Sequence, residues 1–203
     1  MPSGKARRVL ARVLVVAIAI AVALGAQAVI RSPLAIAGEV ANERARVLDA
    51  LFLSLKAARG EAEADVIVAE IWKAWMSSGR PEVDRVLNEG IGYLALGLYA
   101  SARDRFTQVI EAAPDFAEGW NKRATVLYLM NEHDRSLVDI ENVMALEPRH
   151  FGALAGRATI HAHAGRWKEA LDAFRAALKV NPFLKERETV LPDLERRVEG
   201  ERL

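Results

Sequence analysis

Apolar residues recur at intervals of three and four along most of the chain, a spacing that places them on one face of an α-helix. Between residues 117 and 150, one such face carries Trp120, Ala124, Leu127 and Tyr128, and a second carries Leu137, Ile140, Val143 and Met144. Asn131 lies between the two faces. Because Asn tolerates the left-handed backbone at which a helix often ends, the pattern predicts two antiparallel helices joined by a short turn.

The same two-helix pattern occurs three times and is therefore an internal repeat. Pro114, Pro148 and Pro182 follow one another at a step of 34 residues. Four further sets of positions keep this step: the small residues Gly90, Ala124 and Ala158, the turn residues Gly97, Asn131 and Gly165, the small residues Ala102, Ser136 and Ala170, and the large apolar residues Phe106, Ile140 and Phe174. Proline lacks an N–H and clashes with the preceding helical turn, so each period is expected to end near its proline.

This order of small, turn, small, large apolar and proline residues resembles the tetratricopeptide repeat family. The resemblance implies an all-α fold, an α-solenoid of antiparallel helix pairs, with three repeats at residues 83–116, 117–150 and 151–184. Neighbouring repeats in such an array bury each other's apolar faces, and about three repeats are needed for stability.

Amphipathic segments flank the repeats on both sides. Residues 39–80 show two further apolar stripes, which predict a helical pair that is either an N-terminal cap or a degenerate repeat. Trp72 and Trp75 lie on the second stripe and are expected in the core. Residues 185–203 combine one apolar stripe with many charges, as is typical of the C-terminal capping helix that closes such an array.

The N-terminal residues have the order of an export signal. Basic residues precede an apolar run at 13–24, and small residues then permit cleavage after Ala28, so residues 1–28 are predicted to be a signal peptide. Alternatively, residues 13–30 remain as a membrane anchor, since about 18 apolar residues are the lower limit for a span. The basic flank keeps the N-terminus cytoplasmic in either case. We expect an exported protein, periplasmic or anchored in the inner membrane and facing the periplasm, similar to exported tetratricopeptide proteins of Gram-negative bacteria, with a linker at 29–38.

Composition narrows the range of functions. The 28 basic and 27 acidic residues nearly balance, so no general attraction to nucleic acid is expected. The chain has no cysteine, which excludes disulfides, thiolate metal sites and a cysteine nucleophile. No cofactor is indicated.

No catalytic motif is present in the sequence. The chain lacks the HExxH, GxSxG, GxxxxGK and GxGxxG patterns that mark metal, nucleophile and phosphate sites. His161 and His163 are two residues apart and face different directions on a helix, so they do not predict a metal site. We expect a non-enzymatic interaction scaffold. A membrane-anchored envelope or cell-wall assembly factor is the first alternative, and a hydrolase with an unrecognised site is the second.

The family resemblance places the binding surface on a concave groove formed by the first helix of each repeat. Such a groove takes an extended peptide or a partner helix, so the expected partner is a peptide or helix of an envelope protein. The corresponding positions are Leu87, Ile91 and Leu94 in the first repeat, Asn121, Lys122, Thr125 and Tyr128 in the second, and Ala155, Thr159 and His163 in the third. The Lys/Asn/Arg clamp with which some members hold a C-terminal carboxylate is absent, because only Lys122 has the required chemistry.

Two local features of the repeats remain. Asp115 and Glu118 have the order of a capping box, in which Glu118 would reach back to a free backbone N–H at the helix start. Arg123 and Arg157 lie one period apart and are not explained by the repeat pattern, which leaves an anion-binding role open.

Overall fold

The computed structural model describes residues 33–200 of the 203-residue chain. The predicted signal peptide at 1–28 and the alternative anchor at 13–30 lie outside the described residues. Among the described helices, none is both long and apolar enough to cross a bilayer. Residues from Ala37 onward form one compact unit, and every contact discussed below belongs to it.

Regular secondary structure between residues 33 and 200 is entirely helical. The α-helices are α1 (Pro33–Lys56), α2 (Glu61–Trp75), α3 (Pro81–Ala95), α4 (Tyr99–Ala112), α5 (Ala117–Leu129), α6 (His133–Leu146), α7 (Phe151–His163), α8 (Trp167–Val180) and α9 (Val190–Gly200). A short 3₁₀ helix at Lys185–Glu188 precedes α9.

Helices α3 to α8 form the three predicted pairs, α3 with α4, α5 with α6 and α7 with α8. The large apolar residues of the repeat, Phe106, Ile140 and Phe174, are all buried beside the small residues of the same period. Apolar burial at this fixed step is the main source of stability in a stacked array. The predicted all-α solenoid is confirmed.

The turns inside the three repeats have the predicted left-handed backbone. Gly97, Asn131 and Gly165 have φ angles of 71°, 60° and 70°. Each lies just after the first helix of its pair, where a positive φ lets the chain reverse. The shared chemistry of these positions is therefore a backbone requirement.

A β-branched residue at these turns should destabilise the array. We expect Gly97→Val and Gly165→Val each to lower the free energy of unfolding by on the order of 1–2 kcal/mol, because valine is strained at positive φ. Gly92→Ala is the control: Gly92 lies inside α3, and a methyl group on its Cα would meet open space, so alanine there should stabilise the helix by about 0.5–1 kcal/mol. Denaturant unfolding measures all three variants. Unchanged stability in both valine variants would contradict the turn assignment.

Helix α1 begins earlier than the sequence pattern predicted. Residues 29–38 were expected to be a linker followed by a helix from Glu39, but the helix begins at Pro33. Proline is favoured in the first turn of a helix because its missing N–H has no helical partner there. The residues that follow, Leu34 to Ala37, are compatible with a helix. Pro33 therefore begins the helix and does not interrupt it.

The N-terminal pair α1–α2 packs against the ends of the later repeats. Its buried residues Leu48, Leu51, Leu55, Ala64, Ile67, Ile71 and Trp75 share one cluster with Phe151 of α7. Val180, Phe183 and Leu184, which surround Pro182, pack against the same cluster. Within the described range, no residue of α3 or α4 belongs to it. The pair thus lies across the turns between repeats, unlike a cap or degenerate repeat stacked in front of the first repeat.

The C-terminal helix α9 covers the exposed side of α8. Leu194 and Val198 of α9 are buried in one cluster with Leu171 and Phe174 of α8. Pro192 lies in the first turn of α9, where it costs no helical hydrogen bond.

Candidate functional site

The first helices of the second and third repeats, α5 and α7, form an open cavity together with α6. Its volume is about 140 Å³. Four of the predicted groove residues line it, namely Asn121, Thr125, Tyr128 and Thr159. The rest of the lining is small or apolar and consists of Ala124, Ser136, Ile140, Gly152, Ala153, Gly156 and Ile160. We name this space the α5–α7 cavity.

Tyr128 and His163 connect α5 and α7 beside this cavity. The Tyr128 hydroxyl lies 2.9 Å from Nδ1 of His163. The ring of His133, at the start of α6, packs against both of these rings at centroid distances of 5.4 and 5.5 Å. Two residues predicted for the groove are therefore brought together, and their hydrogen bond spans the neighbouring helices.

The side chains of Asn121 and Lys122 both bind a buried carboxylate, that of Glu118. The Asn121 amide donates to both oxygens of Glu118, each at 3.2 Å. The Lys122 ammonium is 2.9 Å from the same carboxylate and lies over the ring of Trp72 in α2, 5.7 Å from its centroid. The N-terminal pair thus covers this end of the groove.

Glu118 and His150 form the centre of this buried polar cluster. The Ala153 N–H donates to Nδ1 of His150 at 3.1 Å, so the ring proton is on Nε2 and is donated to Glu118 at 3.0 Å. His150 in turn stacks on Trp75, with 4.0 Å between centroids and 9° between planes. Burial alone would raise the pKa of Glu118, but the hydrogen bond from His150 and the charge of Lys122 hold this pKa below its usual value.

The predicted capping box at the start of α5 is wrong. Phe116 is the N-cap residue, and no side chain caps the helix there. The Glu118 carboxylate is only 1% exposed and is bound by His150, Asn121 and Lys122. These three donors, one of them charged, outcompete a single backbone N–H at the helix end.

The groove positions of the first repeat offer little surface. Leu87 is 0% exposed in a cluster with Phe106 and Phe116, so it is not accessible to a partner. Ile91 and Leu94 are half-buried against the same cluster. In the third repeat, Ala155 is half-buried, and Thr159 and His163 are exposed.

Arg123 has a structural role in the second repeat. Its guanidinium donates to both oxygens of Asp139 at 2.7 and 2.8 Å and lies over the ring of Trp120. Asp139 is buried, so this bidentate pair fixes α5 against α6. Ala173 takes the place of Asp139 one period later, so Arg157 lacks the equivalent acid.

The histidines do not converge on a common point. Nδ1 of His161 accepts from Arg166 at 3.0 Å, whereas His163 is bound to Tyr128. In the described part of the chain, no three His, Cys, Asp or Glu side chains are grouped as metal ligands.

Sequence reasoning missed the buried Glu118–His150 cluster. A signal for it was nevertheless present, because the last positions of the three repeats are Phe116, His150 and Leu184. A polar residue in an otherwise apolar column of a repeat needs a buried partner. The 34-residue spacing alone does not identify Glu118 as that partner.

The arrangement defines a class of protein, the helical-repeat solenoids whose first helices line a groove. Tetratricopeptide repeat models match residues 87–144 and 151–184. The chain is a tetratricopeptide repeat protein.

Several known proteins are similar to this chain in sequence or in structure. The chain is 36% identical over 135 residues to a TPR repeat-containing protein of Rhizobium etli, and the match spans 66% of each chain. It is 30% identical over 122 residues to the mouse DnaJ homolog subfamily C member 3, a match that spans 60% of this chain and 24% of that relative. The solved structure of the first TPR of Spaghetti (RPAP3) bound to an HSP90 peptide has a TM-score of 0.56 at 19% identity, and covers 58% of this chain and 93% of that one.

Proposed function

We propose that this chain is a protein-interaction scaffold that binds a peptide or helix of a partner at the α5–α7 cavity. The observation that carries the proposal is the cavity itself, an open space of about 140 Å³ in the groove between two repeats. The N-terminal pair covers the neighbouring part of the groove at Lys122, which leaves this segment for a partner. A domain of the same fold is bound to a peptide in a solved structure, which supports a peptide as the ligand class.

The lining of the cavity favours a neutral partner side chain. Its polar groups are the hydroxyls of Thr125, Tyr128, Ser136 and Thr159 and the amide of Asn121. The nearby cation Lys122 is already neutralised by Glu118. We therefore propose that the partner inserts an apolar or small polar side chain here, and that its backbone bonds to the exposed hydroxyls.

Two changes in the cavity should weaken partner binding without unfolding the array. Tyr128→Ala removes an aromatic wall and should weaken binding by about tenfold, the usual effect of losing an interface tyrosine. A Cβ at Gly156 would lie 3.8 Å from Ile140, an ordinary contact distance, so a side chain can be added there without a clash. Because Gly156 lines the cavity, Gly156→Leu should fill the cavity and block it.

Crosslinking inside cells can identify the partner and test the surface together. A photo-crosslinking residue at Thr125 should capture a protein, and Tyr128→Ala or Gly156→Leu should reduce the yield. The same residue at Thr189, which is exposed and remote in sequence from the cavity, is the control. Equal capture from both positions, or capture that neither variant reduces, would contradict the proposal.

We propose further that the array works outside the cytoplasm on an envelope partner. The basic, apolar and small residues before position 30 support export by either a cleaved signal or a retained anchor. The intact mass of the protein recovered from cells distinguishes these forms, since cleavage after Ala28 removes residues 1–28. A retained anchor would instead favour the membrane-bound assembly factor. Recovery of the full-length chain from the soluble cytoplasm would contradict export.

A further inference from the structure

A second, larger cavity lies between α1 and two of the turns that join the repeats. Its volume is about 430 Å³, within the range of small-molecule sites. Its lining comes from α1 and α2 (Arg44, Ala45, Leu48 and Trp75), from the turn after Pro114 and the start of α5 (Asp115 to Glu118), and from the end of α6 and the turn after it (Leu146 to Arg149). We name it the helix–turn cleft. It shares no lining residue with the α5–α7 cavity.

The cleft contains a cation, Arg44, that has no carboxylate partner among residues 42–200. Arg44 donates one hydrogen bond, to the Ser77 carbonyl at 2.9 Å, and lies 5.8 Å from the ring centroid of Phe116. Among residues 42–200, whose side chains the structure describes, no Asp or Glu lies within ion-pair distance of it. A guanidinium has five N–H donors, so most of the donors of Arg44 remain available to an anion.

The other charges of the cleft are mostly neutralised by neighbours. Glu147 is paired with Arg149 at 2.8 Å, and Glu118 is bound by Lys122 and His150. Asp115 is the one lining carboxylate with no described ion pair, and it is exposed to solvent, where its repulsion of an anion is weak.

The wall beside Arg44 is apolar. Leu48, Trp75 and Phe116 line it, together with Leu146, whose side chain is exposed. The indole N–H of Trp75 is buried and has no acceptor among the described residues. Because this nitrogen has no exposed area, Trp75 offers a ligand in the cleft only its apolar ring.

We propose that the helix–turn cleft binds a small apolar carboxylate. Its carboxylate pairs with the guanidinium of Arg44, and its apolar body packs on Leu48, Trp75 and Phe116. The charge-assisted hydrogen bond gives the orientation, and the burial of the apolar part gives most of the affinity. This site does not depend on the peptide groove, and either one can fail in a test without affecting the other.

Titrations of the purified full chain with matched probes test the chemistry. 3-Phenylpropionate and octanoate present aromatic and aliphatic carboxylates, whereas 3-phenylpropionamide is neutral and 2-phenylethylammonium is cationic. Binding is followed by calorimetry and by the indole N–H resonance of Trp75. We expect saturable binding of at least one carboxylate, and the stronger of the two identifies the aromatic or aliphatic source. Equal or tighter binding of the amide or the ammonium probe would overturn the proposal, as would binding of neither carboxylate.

Variants of Arg44 test the residue assignment. Arg44→Gln should weaken carboxylate binding by about tenfold or more, as expected when one charge-assisted hydrogen bond is lost, and Arg44→Lys should retain part of it. Arg46→Gln is the matched control, because Arg46 lies on the same helix, is 75% exposed and pairs with Glu43. Thermal melting of each variant separates lost binding from unfolding. If a folded Arg44→Gln variant binds the carboxylate as tightly as the original chain, Arg44 is not the recognition residue and the proposal is wrong.

Discussion

Trp75→Ala is expected to lower the free energy of unfolding by about 3–5 kcal/mol, the usual cost of removing a fully packed aromatic side chain. Trp75 is only 4% exposed. It stacks on His150, lies 5.0 Å from Phe151 and 5.2 Å from Trp72 between ring centroids, and so connects α2 to the third repeat. The cavity left by alanine would weaken the packing of the N-terminal pair on the third repeat.

Guanidinium unfolding, followed by circular dichroism, measures this effect. Leu53→Ala is the control on the same helical pair, because Leu53 is 72% exposed and its loss should change stability by less than about 0.5 kcal/mol. A Trp75→Ala variant within 1 kcal/mol of the original chain, on the order of a surface substitution, would show that the pair is only loosely attached. Equal effects of the two substitutions would lead to the same conclusion.

The repeat array could be predicted because its determinants are local and recur. Gly97, Asn131 and Gly165 each need a positive φ, and this need is visible at a fixed step without any tertiary information. The buried Phe106, Ile140 and Phe174 follow from the same step. Because the same pattern recurs in three periods, it locates the helix boundaries better than a single period would.

The position of the N-terminal pair could not be predicted, although its helices could. The apolar stripe that contains Trp72 and Trp75 shows that this face is buried, but a stripe carries no information about its partner. Phe151 is the partner and lies more than seventy residues away, outside any local pattern. The position of the pair also decides which groove residues are covered, and for that reason Lys122 was predicted for an open surface that the structure covers.

The candidate site was only partly predictable for a related reason. Tyr128 and Thr159 line the α5–α7 cavity, as the groove positions of the repeat family predict, because the side of each helix that carries them is open there. Leu87 is not accessible as a groove residue, because apolar neighbours in the first repeat bury it. The helical period shows which side of its helix a groove residue faces. Whether that side is open to solvent depends on how the neighbouring helices pack.

Glu118→Gln is expected to destabilise the protein at neutral pH by about 3–5 kcal/mol, the usual effect of breaking a buried ion pair. The substitution removes the charge that neutralises Lys122 and replaces the strong acceptor of the His150 and Asn121 hydrogen bonds. The same cluster lies beneath Trp75 and against the turns of two repeats, so its loss affects both the array and the N-terminal pair.

The destabilisation should also depend on pH with a definite sign. Burial by itself raises the pKa of Glu118, but the hydrogen bond from His150 and the nearby Lys122 lower it below the usual value of 4.5. A carboxyl group whose pKa is lower in the folded than in the unfolded state stabilises the fold fully above the unfolded pKa, and this contribution is lost as the pH falls through the folded pKa. The stability of the original chain should therefore fall below pH 4.5, and the gap between it and the Glu118→Gln variant should narrow there. Denaturant unfolding at several pH values measures the gap. Glu43→Gln is the control, because Glu43 is exposed and its described ion pair, with Arg46, is exposed as well. A gap for Glu118→Gln that stays constant from neutral to acid pH would show that the Glu118 charge does not stabilise the fold.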